Sequence, residues 1–348
     1  MNRPGFSLKE LLFTIGIIAV FIALFLPALN LGRQGPARRA VCQNSLRQIM
    51  LAATNFQSTH QHFPSLMGVK GFNAVGSSDQ VSALVDLLPF LDEGEQYNQI
   101  TQGCTIRGQG FPAFPALSNT NYDPWRIKKS LLICPNAPRS DSKFAVTHYA
   151  FCVGDRARNI SSSTSASRGL GGSVELSFDD ITDGASNTIS AGEIGARNFQ
   201  NRKHRWAINQ AASILESPVE CYQLTDSNGD DWRFNAGVSL SSVGRGSHWA
   251  DGRAGIGLFN TILPPNSPSA SVGGIGADGI YSASGSHPGG INIARFDGSV
   301  SFMDSDIDAG DSSSPTPTEE EMAAGVPSPY GVWGALGSIN GGEIVDEF

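Results

Sequence analysis

The chain has 348 residues, enough for one large domain or two, with a sizeable hydrophobic core. Its formal net charge of −8 argues against nucleic-acid binding, because proteins that bind the phosphate backbone usually carry a basic face. The 40 glycines, the 19 prolines and a charged fraction of only 16% favour short strands joined by turns over long amphipathic helices.

A long apolar segment lies close to the amino terminus. Residues 11–32 contain no charged side chain, and as a helix they would extend about 33 Å, enough to cross a bilayer core. Gly5 and Phe6 precede this segment, and Glu10 lies at its leading edge, where an unpaired carboxylate near hydrocarbon costs up to roughly 3 kcal/mol. A secretory signal peptide would instead have its small-residue cleavage site after the apolar core.

This order of residues resembles the class III prepilin signal of type IV pilins and type II secretion pseudopilins. The resemblance implies that a prepilin peptidase/methyltransferase cleaves after Gly5 and methylates the new amino terminus of Phe6. It also implies that Glu10 pairs with the terminal amine of a neighbouring subunit during assembly. The alternative is a plain signal anchor in which Glu10 has no role.

A second helical pattern follows the apolar segment. Its apolar residues recur at spacings of 4, 3, 4 and 3, which predicts one buried stripe on an amphipathic helix: Cys42, Leu46, Ile49, Ala53 and Phe56. A position on this stripe favours a core thiol at Cys42 over a reactive one. We therefore predict four segments: a leader over residues 1–5, a transmembrane helix over residues 6–31, an amphipathic continuation over residues 32–62, and a β-rich head over residues 63–348.

The clearest hairpin signal lies late in the chain. Residues 291–296 and 299–303 are predicted strands, and the Asp297-Gly298 pair between them is typical of a tight turn. An earlier Asp183-Gly184 turn leads into a predicted strand over residues 187–191.

Several segments resemble, in order, one large bacterial family of prepilin-type proteins that is known by an H-x9-D-G box and carries a domain of unknown function numbered 1559. The similar segments are residues 37–64, 87–92, 132–135, 180–189 with the following Glu193, 286–302 and 336–345. The box is His287, nine residues, then Asp297-Gly298. We interpret it as structural, with one turn entering a strand and one leaving it, because an isolated histidine is a weak metal or catalytic signal. The alternative is a metal-dependent hydrolase centred on His287 and Asp297.

Two further groups of residues suggest ligands or cross-links. Asp226, Asn228 and Asp230 present oxygens at alternate positions, which makes them a weak calcium candidate, but the glycine and glutamate of an EF-hand are missing from its sixth and twelfth positions. Cys134 and Cys152 are a candidate disulfide pair in an exported head. We predict no other metal or cofactor and no catalytic residue.

These observations together predict an α+β, pilin-like fold, in which a long N-terminal transmembrane and amphipathic helix packs on an antiparallel β-sheet head with long loops. The resemblance implies a non-enzymatic, membrane-anchored pseudopilin-like subunit of a type II secretion or type IV pilus-like system. It further implies a single-pass protein of the cytoplasmic membrane, with a cytoplasmic amino terminus and a head in the periplasm or at the cell surface. The expected partners are the lipid bilayer, the prepilin peptidase/methyltransferase and other pilin-like subunits.

Besides the hydrolase alternative, a second class of function is compatible with the sequence. An exported glycan- or cell-wall-binding protein could use the prepilin route only as an anchor, and the five tryptophans could line a carbohydrate platform. Tryptophans in such a head are more often core residues.

Overall fold

The structure is a computed structural model that describes residues 8–65, 81–161, 168–170, 176–195, 204–226 and 232–343, with the backbone alone for residues 22–34. The longest element is helix α1 (Leu8–His60). The later helices are short: α2 (Ala83–Asp86), α3 (Gly94–Gln102), α4 (Ser213–Glu216), α5 (Glu319–Ala323) and α6 (Gly331–Gly337). Segments of 3-10 helix occur at Leu88–Leu91, Asp123–Trp125, Ser130–Leu132, Phe178–Asp180 and Pro218–Leu224.

The strands form one five-stranded sheet and two small antiparallel pairs. Their bounds are β1 (Cys104–Ile106), β2 (Gln109–Phe111), β3 (Tyr149–Cys152), β4 (Ile189–Glu193), β5 (Leu258–Phe259), β6 (Ala270–Ser271), β7 (Gly279–Ile280), β8 (Gly290–Arg295) and β9 (Val300–Asp304). The large sheet has the order β5-β3-β4-β8-β9. Strands β3 and β5 run parallel, whereas the other neighbours in this sheet are antiparallel.

The second half of α1 packs against this sheet, mainly on β8. The predicted apolar stripe is confirmed, since all five of its members are buried: Cys42, Leu46, Ile49, Ala53 and Phe56. Two polar contacts accompany the apolar packing. The hydroxyl of Ser190 on β4 donates to Met50 Sδ at 3.0 Å, and the Arg39 guanidinium lies 4.0 Å from the centre of the Phe302 ring on β9.

The predicted hairpin is also confirmed. Strands β8 and β9 pair in antiparallel register from Gly290 opposite Asp304 to Ala294 opposite Val300. The turn between them includes Gly298 at φ +83°, a left-handed conformation that glycine adopts without a side-chain clash. The strand predicted after the Asp183-Gly184 turn is β4, which begins two residues later than expected.

The predicted fold class was wrong in its defining element. Within the described residues, no helix has both the length and the apolar character needed to cross a membrane. The sheet is likewise not purely antiparallel, because β3 and β5 are parallel. The described chain is a mixture of helices and strands around a five-stranded sheet.

Candidate functional site

The box histidine lies in a tight turn at the start of β8. His287 forms an isolated antiparallel bridge with Gly290, and Gly289 between them has φ +78°. Proline at 288 and two glycines favour such a reversal, which directs the imidazole back toward the sheet. The residue is only 5% exposed, so its ring is part of the interior.

The carboxylate of Glu193 meets this imidazole from the end of the neighbouring strand β4. Glu193 Oε1 lies 3.1 Å from His287 Nε2, and both side chains are buried. The carboxylate also accepts two hydrogen bonds from Asn292 on β8, one from the backbone N–H at 2.8 Å and one from Nδ2 at 3.1 Å. These three contacts satisfy the buried oxygens and fix the orientation of the carboxylate.

Two cysteines complete the cluster. Cys42 projects from α1, and Cys134 follows the 3-10 segment Ser130–Leu132. Their Sγ atoms are 2.9 Å apart, and Cys134 Sγ lies 3.6 Å from His287 Nε2. One ligand atom from each of Cys42, Cys134, Glu193 and His287 lies within 4.8 Å of the others, and all four residues are buried. We refer to these residues as the four-residue cluster.

Hydrogen bonding inside the cluster shifts the acidity of its members. The bond donated by the Cys42 thiol lowers the pKa of Cys134 to about 6 despite the opposing effect of burial, and the same bond raises the pKa of Cys42 far above its usual range. Burial alone would lower the pKa of His287, but its bonds with Cys134 and Glu193 raise that pKa to about 9. These two pKa shifts favour a Cys134 thiolate beside a His287 imidazolium at neutral pH.

A surface cavity borders the cluster on the side of His287. Its volume is about 230 Å³, and its lining includes His204, Trp232, Asn266 and Ser284 together with the 286–289 turn. His287 therefore separates the buried cluster from a cavity that a small ion or molecule can enter.

Asp297, the aspartate of the H-x9-D-G box, lies far from the four-residue cluster. Asp297 is exposed in the β8–β9 turn, where its Oδ1 accepts a hydrogen bond from the Ser299 backbone at 2.8 Å. The six residues of β8 separate it from the turn that holds His287, a distance of about 20 Å at ~3.3 Å per residue. The structure therefore does not bring His287 and Asp297 together in one site, and both have the turn positions that the structural interpretation predicts.

The predicted disulfide pair does not form. Both thiols are free, and Cys134 faces Cys42 rather than Cys152. Cys152 lies on β3 in a separate apolar cluster, where its sulfur accepts a hydrogen bond from Gly154 N at 3.4 Å. The prediction was wrong because the sequence does not show that the loop containing Cys134 packs against helix α1.

The weak calcium candidate is described only in part. Asp226 Oδ1 accepts a hydrogen bond from Arg233 N at 2.7 Å, as in a polar turn. Asn228 and Asp230 lie outside the described residues, as do the processing residues Gly5 and Phe6.

The start of α1 has a different character from its buried half. Every residue from Leu8 to Phe21 is exposed, and we refer to residues 8–21 as the N-terminal arm. Nine large hydrophobic side chains belong to it, with exposures from 43% to 73%: Leu8, Leu11, Leu12, Phe13, Ile15, Ile17, Ile18, Val20 and Phe21. Glu10 lies in the first turn of the helix.

The five tryptophans offer no exposed platform. Trp125, Trp206, Trp232, Trp249 and Trp333 are all buried, with at most 4% of any one exposed. The tryptophans thus give the glycan-binding alternative no support.

Sequence reasoning did not connect His287 with the other three members of the four-residue cluster. It treated His287 as isolated, although Cys42, Cys134 and Glu193 each belong to a segment that carries the family resemblance. The available signal was that two cysteines, one acid and one histidine occur in four such segments. These segments are too far apart in the sequence to match any spacing pattern that is typical of a metal site.

A family model described as a protein of unknown function (DUF1559) matches residues 33–310, well over half of the chain. The matched range includes the whole four-residue cluster and the H-x9-D-G box, and it begins after the N-terminal arm. The match confirms the expected domain of unknown function but not the pilin-like relationship. No curated protein and no solved structure matches the chain.

Proposed function

Because this chain belongs to the DUF1559 family of proteins of unknown function, we propose its role from its own geometry: a non-enzymatic structural subunit that assembles with other pilin-like subunits through the N-terminal arm. The observation that supports this role is the exposure of nine large hydrophobic side chains along the arm. Contiguous apolar surface of this kind is typical of an interaction site, because leaving it in water is unfavourable.

The arrangement of the apolar residues favours several partners rather than one. Leu8, Leu11, Ile15 and Ile18 follow one face of the helix at spacings of 3, 4 and 3, whereas Phe13, Ile17 and Phe21 follow another at spacings of 4. A helix that is apolar on more than one face is normally buried on more than one side. The arms of several copies, packed together as a bundle, would cover both faces.

Packing of this kind has enough free energy to drive association. Full burial of one large aliphatic or aromatic side chain contributes about 1.5–3 kcal/mol, and the arm offers nine of them. Association of two chains costs an estimated 4–15 kcal/mol in lost freedom of motion, which burial of roughly two to ten such side chains, shared between the two arms, offsets.

The prepilin resemblance supports a specific role for Glu10 within such a bundle. An acid buried among apolar helices requires a positive partner, because an unpaired charge there is strongly unfavourable. Cleavage after Gly5 would create an amino terminus on Phe6, and this amine in a neighbouring copy would be the partner. The pair would set the register between adjacent arms in a type II secretion or type IV pilus-like system.

Two measurements on the full chain in its native host test the proposal. Mass analysis of the mature protein should find N-methyl-phenylalanine at residue 6, and cross-linking in intact cells should produce a ladder of oligomers. Glu10→Gln should remove the ladder while leaving the amount of protein unchanged. Glu320→Gln, which changes an exposed acid on helix α5 of the head, is the matched control and should keep the ladder. A mature protein that retains Met1, or equal ladders for both variants, would refute the proposal.

A further inference from the structure

The strongest unassigned feature of the molecule is the four-residue cluster, whose members come from four separate parts of the chain. Cys42 belongs to α1, Cys134 to the loop after Ser130–Leu132, Glu193 to β4 and His287 to the turn before β8. Sequence separations of 92 and 153 residues join Cys134 to Cys42 and to His287. Convergence of four potential ligand atoms within 4.8 Å in the interior calls for a chemical explanation.

We propose that Cys42, Cys134, Glu193 and His287 bind one divalent transition-metal ion of the zinc type in a closed site. The role is structural and does not depend on the assembly function proposed above.

The ligand types select this class of ion. Two thiolates, one imidazole and one carboxylate form a mixed sulfur, nitrogen and oxygen set, which zinc accepts in four-coordinate sites. Calcium and magnesium prefer oxygen ligands alone, so the two sulfurs exclude them. Four protein ligands also leave no open coordination position for a reacting water, which favours a structural over a catalytic ion.

The distances are close to those of a tetrahedral site. Zinc bonds of about 2.3 Å to sulfur and ~2.1 Å to nitrogen or oxygen would place sulfur and nitrogen roughly 3.6 Å apart, and nitrogen and oxygen roughly 3.4 Å apart. The observed separations are 3.6 Å from Cys134 Sγ to His287 Nε2 and 3.1 Å from His287 Nε2 to Glu193 Oε1. The two sulfurs, now 2.9 Å apart, would have to separate to about 3.8 Å.

The surrounding groups already orient two of the ligands. Asn292 holds the Glu193 carboxylate through its backbone and side-chain N–H groups. The Asn136 side-chain amide lies 3.1 Å from His287 Nδ1, the ring nitrogen that faces away from the cluster. A half-turn of this amide would present its oxygen to an Nδ1–H, which is the outer hydrogen bond that metal-bound histidines usually make.

An ion could reach the site through the adjacent cavity, and once bound it would stabilise the packing of α1 on the sheet. The cavity on the far side of His287 brings solvent to the edge of the cluster. As the ion binds, the Cys42 thiol and the imidazolium would release their protons to solvent. The bound ion would then tie α1 to β4, β8 and the Cys134 loop at one point.

A disulfide between Cys42 and Cys134 is the competing outcome. Their sulfurs would need to close from 2.9 Å to about 2.05 Å, and oxidation by a disulfide exchange partner, which would itself be reduced to two thiols, would remove both sulfur ligands from the set. The metal and the disulfide are therefore mutually exclusive states, which an experiment can distinguish.

The test uses the full chain, purified under a reducing agent, stripped with a chelator and titrated with cobalt(II) as a spectroscopic probe. We expect one ion per chain, a thiolate-to-cobalt charge-transfer band, the visible bands of a tetrahedral ion, and loss of these bands when zinc is added. Cys42→Ser and His287→Ala should each weaken binding at least tenfold. Cys152→Ser, which changes a buried free thiol outside the cluster, is the matched control and should bind as the wild type does.

One further measurement keeps the test valid if a variant fails to fold. X-ray absorption on the zinc-loaded wild type should report two sulfur and two nitrogen or oxygen neighbours. Absence of stoichiometric binding to the reduced wild type, or a shell without sulfur, would overturn the proposal. Peptide mapping of protein taken from cells without reduction would also overturn it if every copy contained the Cys42–Cys134 disulfide and no metal.

Discussion

The imidazole of His287 lies 3.1 Å from the carboxylate of Glu193, although the two residues are 94 positions apart in the chain. This contact joins the turn before β8 to the end of β4, and only 2% of each side chain is exposed. It gives the histidine of the H-x9-D-G box a partner that the box itself does not contain.

The two halves of the box should therefore contribute unequally to stability. His287→Ala leaves the Glu193 carboxylate buried without its cationic partner, and loss of one member of a buried pair typically costs about 3–5 kcal/mol. Asp297→Ala removes one hydrogen bond in an exposed turn and should cost about 1 kcal/mol or less. Urea unfolding of both variants in the presence of a chelator measures the difference between their free energies of unfolding without any contribution from bound metal. Equal losses would show that the His287–Glu193 contact is not important for stability.

The β8–β9 turn should depend on its glycine. Gly298→Ala places a side chain at φ +83°, where an L-residue costs about 1–2 kcal/mol, although its added Cβ meets no atom within 4 Å. Gly94→Ala is the matched control, because its Cβ is equally unobstructed and Gly94 is the first residue of helix α3. We expect a lower free energy of unfolding for the first variant and an unchanged or slightly higher one for the second. If both variants unfold at the same denaturant concentration, the turn conformation is wrong.

The two halves of α1 should respond differently to substitution. Leu46→Ala removes a fully buried side chain from the interface with the sheet and should cost about 2–5 kcal/mol. The double variant Leu12→Ser and Ile15→Ser changes exposed side chains of the N-terminal arm, so the free energy of unfolding should change by about 0.5 kcal/mol or less. The same double variant should reduce cross-linked oligomers in cells. Intact oligomers in the double variant would contradict assembly through the arm.

A buried carboxyl predicts how stability depends on pH. Burial raises the pKa of Asp86 to about 7, whereas an aspartate in an unfolded chain titrates near ~3.9. Between these values the folded state holds a proton that the unfolded state has released, so the contribution of Asp86 to stability falls as pH rises from about 4 to about 7. Asp86→Asn should remove that part of the slope when unfolding is measured across this range. Parallel pH profiles for the variant and the wild type would rule out the buried acid as its source.

Local sequence patterns predicted the parts of the fold that depend on neighbours in the chain. The spacing of Cys42, Leu46 and Ile49 identified the buried face of α1, because a helix repeats every 3.6 residues whatever covers it. The Asp297-Gly298 pair identified the hairpin, because the turn constrains its own backbone.

The remaining features depend on contacts between distant segments. The parallel pairing of β3 with β5 joins Phe151 to Leu258, and no pattern within either strand specifies it. The four-residue cluster was missed for the same reason, because its members meet only after α1, β4 and β8 have packed. The transmembrane prediction failed because it combined hydropathy and length over residues 6–31, whereas no helix of the described residues satisfies both requirements.

The continuity of α1 has a mechanical consequence. Glu10 and Cys42 lie on one unbroken helix, about 48 Å apart along its axis at 1.5 Å per residue. Tension or torque applied at the exposed end would be transmitted along the helix to its first contacts with the rest of the chain, which include Arg39 on Phe302 and Cys42 on Cys134. A metal bridge or a disulfide between Cys42 and Cys134 would therefore increase the force that is needed to detach α1 from the sheet.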